Sequence, residues 1–271
     1  MAAQAALTHR GVAVVIVNGD LFTEVCNDKL DWSVHRPNPT IRPSDTELRA
    51  CADLINRHDR IAIYAGIGAR GAHDQIVALA QHIKAPVVHT TRAKEFIEPD
   101  NPCNIGMTGI LGNRAGLEAF QGADLLICLG ADFAWTQFYP EKARIIQVDK
   151  EPTHIGRRSP VELGLVGDVA DTIDALLPHL DNFEDRTFLD EMLSRFEKDT
   201  QAYAKAGREP DPTLIHPQHL TQILDKYAAS DAIFTADGGS PMAWLLRHIT
   251  ANGKRRFLTS LLHGTMANAY P

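Results

Sequence analysis

The sequence predicts an α/β protein organised around a doubly wound, Rossmann-like parallel sheet, with a partial α/β unit on each side of it. Two observations carry that prediction. First, short apolar runs alternate with helical patterns through the middle of the chain, and the runs are apolar at nearly every position. That is the pattern of strands covered on both faces. Second, R-I-A-I-Y-A-G-I-G-A-R-G over residues 60–71 reads as a buried strand, a glycine turn and the start of a helix. Gly66, Gly68 and Gly71 make G-x-G-x-x-G there. Without β-carbons the turn can be tight and a diphosphate can approach the backbone, where the next helix offers free N–H groups. The same glycines also suit a tight turn with no ligand. The next strand ends in His89-Thr90-Thr91-Arg92, with no carboxylate to hold a ribose, which argues against an ordinary NAD site.

Taken in order, residues 1–10 read as the end of a helix and 11–17 (G-V-A-V-V-I-V) as a buried strand. A lone helix and strand cannot bury themselves, so 1–20 reads as the last piece of a domain. Residues 21–43, with Pro37, Pro39 and Pro43, read as a linker. Ser44 opens a helix through the capping box Ser44-x-x-Glu47, with Leu48, Cys51, Ala52 and Ile55 on its apolar face. Strands are expected at 60–66, 86–90, 123–130, 143–149 and 163–167, and helices at 72–84, 113–121 and 169–180. The passage from 91 to 112 reads as irregular. Together 44–181 form a central domain whose ligands would sit at the carboxyl ends of the strands. Residues 182–214 hold one helix at 184–206 and then the linker G-R-E-P-D-P. A new α/β pattern runs over 215–271, with helices at 217–229 and 241–249 and strands at 232–236 and 257–262. Two strands do not make a complete domain.

The 271 residues are 44% hydrophobic and 23% charged, as in a soluble globular protein with a sizeable core. A net charge of −7 with no long basic run excludes nucleic acid as the expected partner. Arg157-Arg158 and Lys254-Arg255-Arg256 read as solvated loop charges. Cys26, Cys51, Cys103 and Cys128 are scattered without a C-x-x-C, which implies free thiols, a reduced compartment and no metal site. No apolar run reaches membrane-spanning length, and residues 1–10 lack the pattern of a signal peptide.

Several segments at the predicted strand ends could bind a ligand. Gly106-Met107-Thr108-Gly109-Ile110-Leu111-Gly112 suits an anion or a ring edge, or simply a helix N-terminus. Gly130-Ala131-Asp132-Phe133-Ala134-Trp135 puts two aromatics in a loop, as a wall for a flat ring or as inter-domain packing. Asp149 could accept from ribose hydroxyls or an adenine amino group, or cap the turn at Glu151-Pro152. Asp168 suits the N-cap of the following helix. Twelve histidines fall in no metal spacing, and His89, His216 and His263 read as structural. There is no G-x-S-x-G and no Cys beside a base motif, so no residue is nominated as catalytic.

The chain resembles the thiamine-diphosphate-dependent decarboxylases and oxidases, closest to the pyruvate oxidases, or pyruvate dehydrogenases (quinone). The motifs are K-A-P-V-V-H at 84–89, D-N-P-x-x-I-G-M-T-G at 100–109, F-Y-P at 138–140, and I-I-Q-V-D at 145–149. I-H-P-Q-H-L at 215–220, D-A-I-F-T-A-D-G-G at 231–239 and H-G-T-M-A-N-A at 263–269 continue it. The resemblance implies that the chain is an internal fragment, with a pyrimidine-binding remnant at 1–20, a central FAD-binding domain (DHS-like) at 44–181 and the start of a thiamine-diphosphate-binding domain at 215–271. It implies that Thr108, Gly109, Ile110, Leu111, Ala131, Asp132, Phe133, Ala134, Trp135 and Asp149 contact FAD, with Gly66 and Gly68 by its diphosphate. It implies that Gly264, Thr265 and Met266 turn against the thiamine aminopyrimidine, with Met266 as the apolar wedge, and that Asp237-Gly238-Gly239-Ser240 lies near the cofactor diphosphate. The activating glutamate and the G-D-G…N segment for Mg2+ are absent from this sequence. The full-length activity implied is oxidative decarboxylation of pyruvate to acetate and CO2 with electrons passed to a quinone. A cytoplasmic tetramer, peripheral at the membrane through a segment not in this chain, goes with it. An acetolactate synthase-like carboligase, a non-catalytic dinucleotide-binding module and an NAD-dependent deacylase are the rivals.

Overall fold

The protein is described by a computed structural model covering residues 1–8, 11–25, 33–35, 39–206, 214–261 and 263–269. Cys26, Pro37 and the linker residues 207–213 lie outside the described residues. By its internal contacts the chain divides into two units, 1–40 and 41–271.

In the first unit, helix α1 (Ala2–Thr8) buries none of its residues. The strand expected at 11–17 is not formed: Val12 is 95% exposed and Ile16 92%. β-branched residues favour extended backbone, but a strand exists only where a neighbour takes its backbone hydrogen bonds, and among the described residues none does. The backbone N–H of His35 donates to Gln4 Oε1 at 2.9 Å within the same unit.

The second unit opens as the capping box predicts. Ser44 Oγ accepts from the Glu47 N–H, Glu47 Oε2 accepts from the Ser44 N–H at 2.8 Å, and helix α2 (Asp45–Ile55) follows. Leu48, Cys51, Ala52, Leu54 and Ile55 form its buried side.

The central sheet contains β1 (Ile61–Ala65), β2 (Val87–His89), β3 (Asn104–Met107), β4 (Leu125–Leu129), β5 (Arg144–Asp149) and β6 (Leu163–Val166). All pairings are parallel and the strand order is β3-β2-β1-β4-β5-β6, that of a dinucleotide-binding sheet. Every residue of β1 and β4 is buried, and the two-residue period sorts them onto opposite faces. Ile61, Ile63 and Ala65 pack with α2, α3 (His73–His82) and α6 (Val169–Leu176). Ala62 and Tyr64 pack on the other face with α5 (Arg114–Gly122) and α7 (Thr187–Ala206).

The passage read as irregular holds α4 (Lys94–Ile97) and β3. An edge strand interrupted by Gly106, at φ 84°, and paired to β2 through a register shift leaves little pattern to read. Helix α6 stops at Leu176 and tightens into a 3-10 turn carrying Pro178, short of the predicted 180. Helix α7 starts at Thr187, later than predicted, with Asp185 accepting from its N–H at 2.8 Å.

The last segment folds as α8 (Pro217–Tyr227), β7 (Ile233–Ala236), α9 (Ser240–His248) and β8 (Arg256–Thr259), with β7 and β8 parallel. As expected His216 is structural: its ring nitrogen accepts from the Gln218 N–H and caps α8. Among the described residues no helix is long and apolar enough to cross a membrane.

Candidate functional site

In a sheet of this order the chain leaves β1 and β4 in opposite directions, which opens a crevice at their carboxyl ends. A cavity of about 580 Å3 lies there. The ends of β1 to β5 contribute to it, and β6 does not. Gly66 and Gly68 come from β1, Thr90 to Arg92 from β2, Thr108 to Leu111 from β3, Gly130 and Asp132 to Trp135 from β4, and Asp149 with His154 from β5. Arg158, Met242 and Leu261 complete it. The central-domain residues expected to bind FAD therefore converge, with one exception. Ala131 is 2% exposed and does not line the cavity. It lies against Gly66, where an added Cβ would stand 2.5 Å from the Ala131 Cα.

Of the two readings of the glycine string, the structure shows the tight turn. A Cβ on Gly66 would sit 2.3 Å from the Gly130 carbonyl oxygen, so the glycine permits β1 and β4 to approach. The Gly66 and Gly68 N–H groups donate to the carbonyls of Leu129 and Gly130, both at 2.9 Å. They are committed to the fold rather than free for a diphosphate. The turn continues as a 3-10 stretch, Ile67–Ala69, and α3 begins only at His73.

The turn after β3 is built from Gly109, at φ 96°, and closed by the Gly112 N–H donating to Gly109 O at 3.0 Å. Asn113 caps α5, accepting from the Gly116 N–H at 2.6 Å, so this segment is a helix N-terminus as well as a cavity wall. The Thr108 hydroxyl is buried without a hydrogen-bond partner, and so is that of Thr90. Two orphaned hydroxyls on one cavity wall are what a bound polar ligand would satisfy.

Phe133 belongs to both core and cavity, packed edge-on against Tyr64 with ring centres 5.4 Å apart. Trp135 is 49% exposed at the mouth. Asp132 receives both Arg157 and Arg158, the latter at 2.7 Å. Burial pushes its carboxyl up, but the hydrogen bonds and charge of the two arginines outweigh that and hold it below its usual range. Arg157 and Arg158 are thus not free solvated charges. Nor is Arg255, which is 8% exposed and bonded to Asp225. Asp149 accepts from the Glu151 N–H at 2.9 Å and meets His154 at 3.4 Å, so the turn-capping reading holds while the residue still lines the cavity. Asp168 occupies the N-cap of α6 without a side-chain cap bond and pairs with Lys150.

Gly264, Thr265 and Met266 lie elsewhere. They turn against the loop that opens α9, where the Gly238 N–H donates to Thr265 O at 2.9 Å. A Cβ on Gly238 would stand 2.3 Å from Gly264 O, and Met266 is 79% exposed. The two segments assigned to the thiamine site by resemblance therefore meet each other. Backbone N–H groups of Ala269 and its neighbours hold the Asp237 carboxyl below its usual range.

The sequence reading missed Ile67, His154, Arg158, Met242 and Leu261 as lining residues, and weighed Thr90, Thr91 and Arg92 only for the carboxylate they lack. Met242 and Leu261 come from a different domain pattern, so no local signal could place them. No group of three or more His, Cys, Asp or Glu able to hold a metal occurs among the described residues. His89, fully buried, donates from Nε2 to Glu98 Oε1 at 3.0 Å beside Lys94. Burial pushes Glu98 up, yet Lys94 and His89 bring it down to about 2.

Residues 48–176 match the family described as "Thiamine pyrophosphate enzyme, central domain". A protein of Pseudomonas amyloderamosa, described as an uncharacterized 42.6 kDa protein in the isoamylase 3' region, is 43% identical over 73% of this chain and 50% of its own. A Bacillus subtilis protein named as thiamine pyrophosphate-containing, YdaP, is 31% identical over 100% of this chain and 47% of its own. The acetolactate synthase of Mycobacterium avium is 30% identical over 93% of this chain and 42% of its own. The chain spans about half the length, or less, of these relatives. Sheet order, switch-point cavity and these likenesses agree: through its central domain, the chain belongs to the thiamine pyrophosphate enzyme family.

Proposed function

We propose that the switch-point cavity binds FAD, and that the longer protein is a thiamine-diphosphate- and FAD-dependent pyruvate oxidoreductase, releasing acetate and CO2 and passing electrons to quinone. The observation that carries the FAD reading is the pair of buried, unpartnered hydroxyls, Thr108 and Thr90, on a cavity with no carboxylate after β2 for the ribose of NAD. Asp149 accepts from sugar or adenine donors. Ile110, Leu111, Phe133 and Trp135 cover a flat ring and keep water from it. Arg92 on the lining supplies a positive charge for a diphosphate, while Arg158 is paired with Asp132. The exposed Met266 and the tight Gly238–Gly264 approach fit a wall of a thiamine site. When bound, FAD supplies two-electron chemistry and thiamine diphosphate the carbanion chemistry. Magnesium, the activating carboxylate, a tetrameric assembly, the cytoplasmic location and any peripheral membrane contact belong to the longer protein, and this chain alone does not turn over pyruvate.

A second reading is an acetolactate synthase-like carboligase, favoured by the Mycobacterium avium relative. The test uses the full-length gene product with thiamine diphosphate, Mg2+, FAD and pyruvate. Flavin bleaching with quinone-dependent acetate formation supports the first reading. Acetolactate without quinone reduction selects the second, and a protein that takes up no flavin overturns the FAD assignment.

A further inference from the structure

We infer that Arg247, on α9 of the C-terminal segment, is a positioning residue that sets the 108–112 turn of the central-domain cavity; its effect on FAD rests on the reading above. Its Nε donates to Leu111 O at 3.1 Å and its Nη2 to Gly112 O at 3.2 Å. Its guanidinium also lies over the Tyr203 ring of α7, 5.7 Å from the ring centre. The turn's other bonds are local, Gly112 N–H to Gly109 O and Asn113 N–H to Met107 O.

The turn is a wall with open space on both sides. Leu111 lines the cavity of about 580 Å3 in front and a second of about 420 Å3 behind, and Arg247 lies in the second. Gly109 and Gly112 make that wall pliable. The wall carries the unpartnered Thr108 hydroxyl and Ile110, 57% exposed. Helix α9 also delivers Met242 to the front cavity and starts at the Gly238-Gly239 loop that meets Thr265. One short helix thus follows directly on the Gly238–Thr265 contact at its start and, through Arg247, holds the 108–112 turn at its end. Two carbonyls on adjacent residues need a forked donor. Lysine carries donors but no planar fork, and methionine carries no donor.

The experiment compares the 271-residue chain with R247M and R247K in three measurements. These are amide hydrogen exchange without ligand, FAD titration by fluorescence, and visible circular dichroism of the bound flavin. The expected result for R247M is roughly tenfold faster exchange of the Gly112 and Asn113 amides, roughly tenfold weaker FAD binding and an altered flavin dichroism, with β1 and β4 amides unchanged. R247K falls between. Unchanged turn exchange in R247M overturns the inference. So does a uniform rise that includes β1 and β4, since Arg247 then only supports the fold. Faster turn exchange in R247M, with no FAD bound even by the unsubstituted chain, upholds Arg247 as the turn's anchor and overturns the flavin reading.

Discussion

The six-stranded and two-stranded sheets use the same strand–helix–strand grammar with different results. In the first, β1 and β4 are buried at every residue and flanked by strands on both sides. In the second, Ile233 of β7 is 64% exposed and Leu258 of β8 46%. A parallel strand is stabilised by covering both of its faces, and a strand pair with one side packed does not achieve that. A switch-point crevice likewise needs strands on both sides of it. Hence the switch-point cavity belongs to the larger sheet, and the C-terminal segment lends Met242 and Leu261 to its lining and Arg247 to the turn behind it. One carboxylate also joins them. Glu95 accepts from Arg70 at 2.7 Å and from Arg256 at 3.2 Å.

The sharpest way to break this comparison is to remove one aromatic from each sheet's packing. Phe120 is fully buried against Tyr64, with ring centres 4.8 Å apart, whereas Phe234 is only partly buried in its stack on Phe257. Phe120→Ala should cost about 3–5 kcal/mol in denaturant unfolding, and Phe234→Ala about 1 kcal/mol. Equal losses would mean that the two cores bear equally on stability.

A paired glycine test comes next. An added Cβ meets backbone oxygen at 2.3 Å at both Gly66 and Gly238. Gly66→Ala forces apart β1 and the loop after β4 and should cost about 3 kcal/mol, while Gly238→Ala displaces a surface turn and should cost about 1 kcal/mol. Thermal unfolding of the two variants measures the difference.

Acid stability sharpens the contrast further. Glu98 is held at about 2 in the folded chain against an ordinary 4.5. A lowered folded value means stability that is complete above about 4.5 and lost as pH falls from there toward about 2. Denaturation midpoints followed over that window should fall steeply for the chain and less for Glu98→Gln, which starts lower because Lys94 is left buried and unpaired.

The smallest expected effect is also the most specific. The Thr108 hydroxyl has no partner, so Thr108→Val should leave the ligand-free chain unchanged or steadier by up to about 1 kcal/mol. A loss of stability would show that the hydroxyl is satisfied in the free protein.

Most of the sheet was legible because buried parallel strands write themselves as continuous apolar runs, as I-A-I-Y-A and L-L-I-C-L do. The capping box at Ser44 was legible because both of its bonds are local. What failed depended on distant partners. The run at 11–17 carries every mark of a strand and pairs with no neighbour among the described residues. Strand β3 is hidden by Gly106. At the site, Thr108 to Leu111, Asp132 to Trp135 and Asp149 were readable as strand ends, and the structure gathers them. That Gly66 and Gly68 use their N–H groups on β4 could not be read, because it follows from how closely two strands approach. Arg157 and Arg158 looked solvated because Asp132, which binds them, lies far away in sequence.

The proposal that the carboxyl edge of the large sheet holds FAD is tested by titrating the 271-residue chain with FAD and, separately, with NAD. Saturable quenching of flavin fluorescence is expected, with a Kd of about 1 µM or tighter, weakened several-fold by Thr108→Val, and no comparable binding of NAD. Tighter binding of NAD than of FAD, or FAD binding indifferent to Thr108→Val, would contradict it.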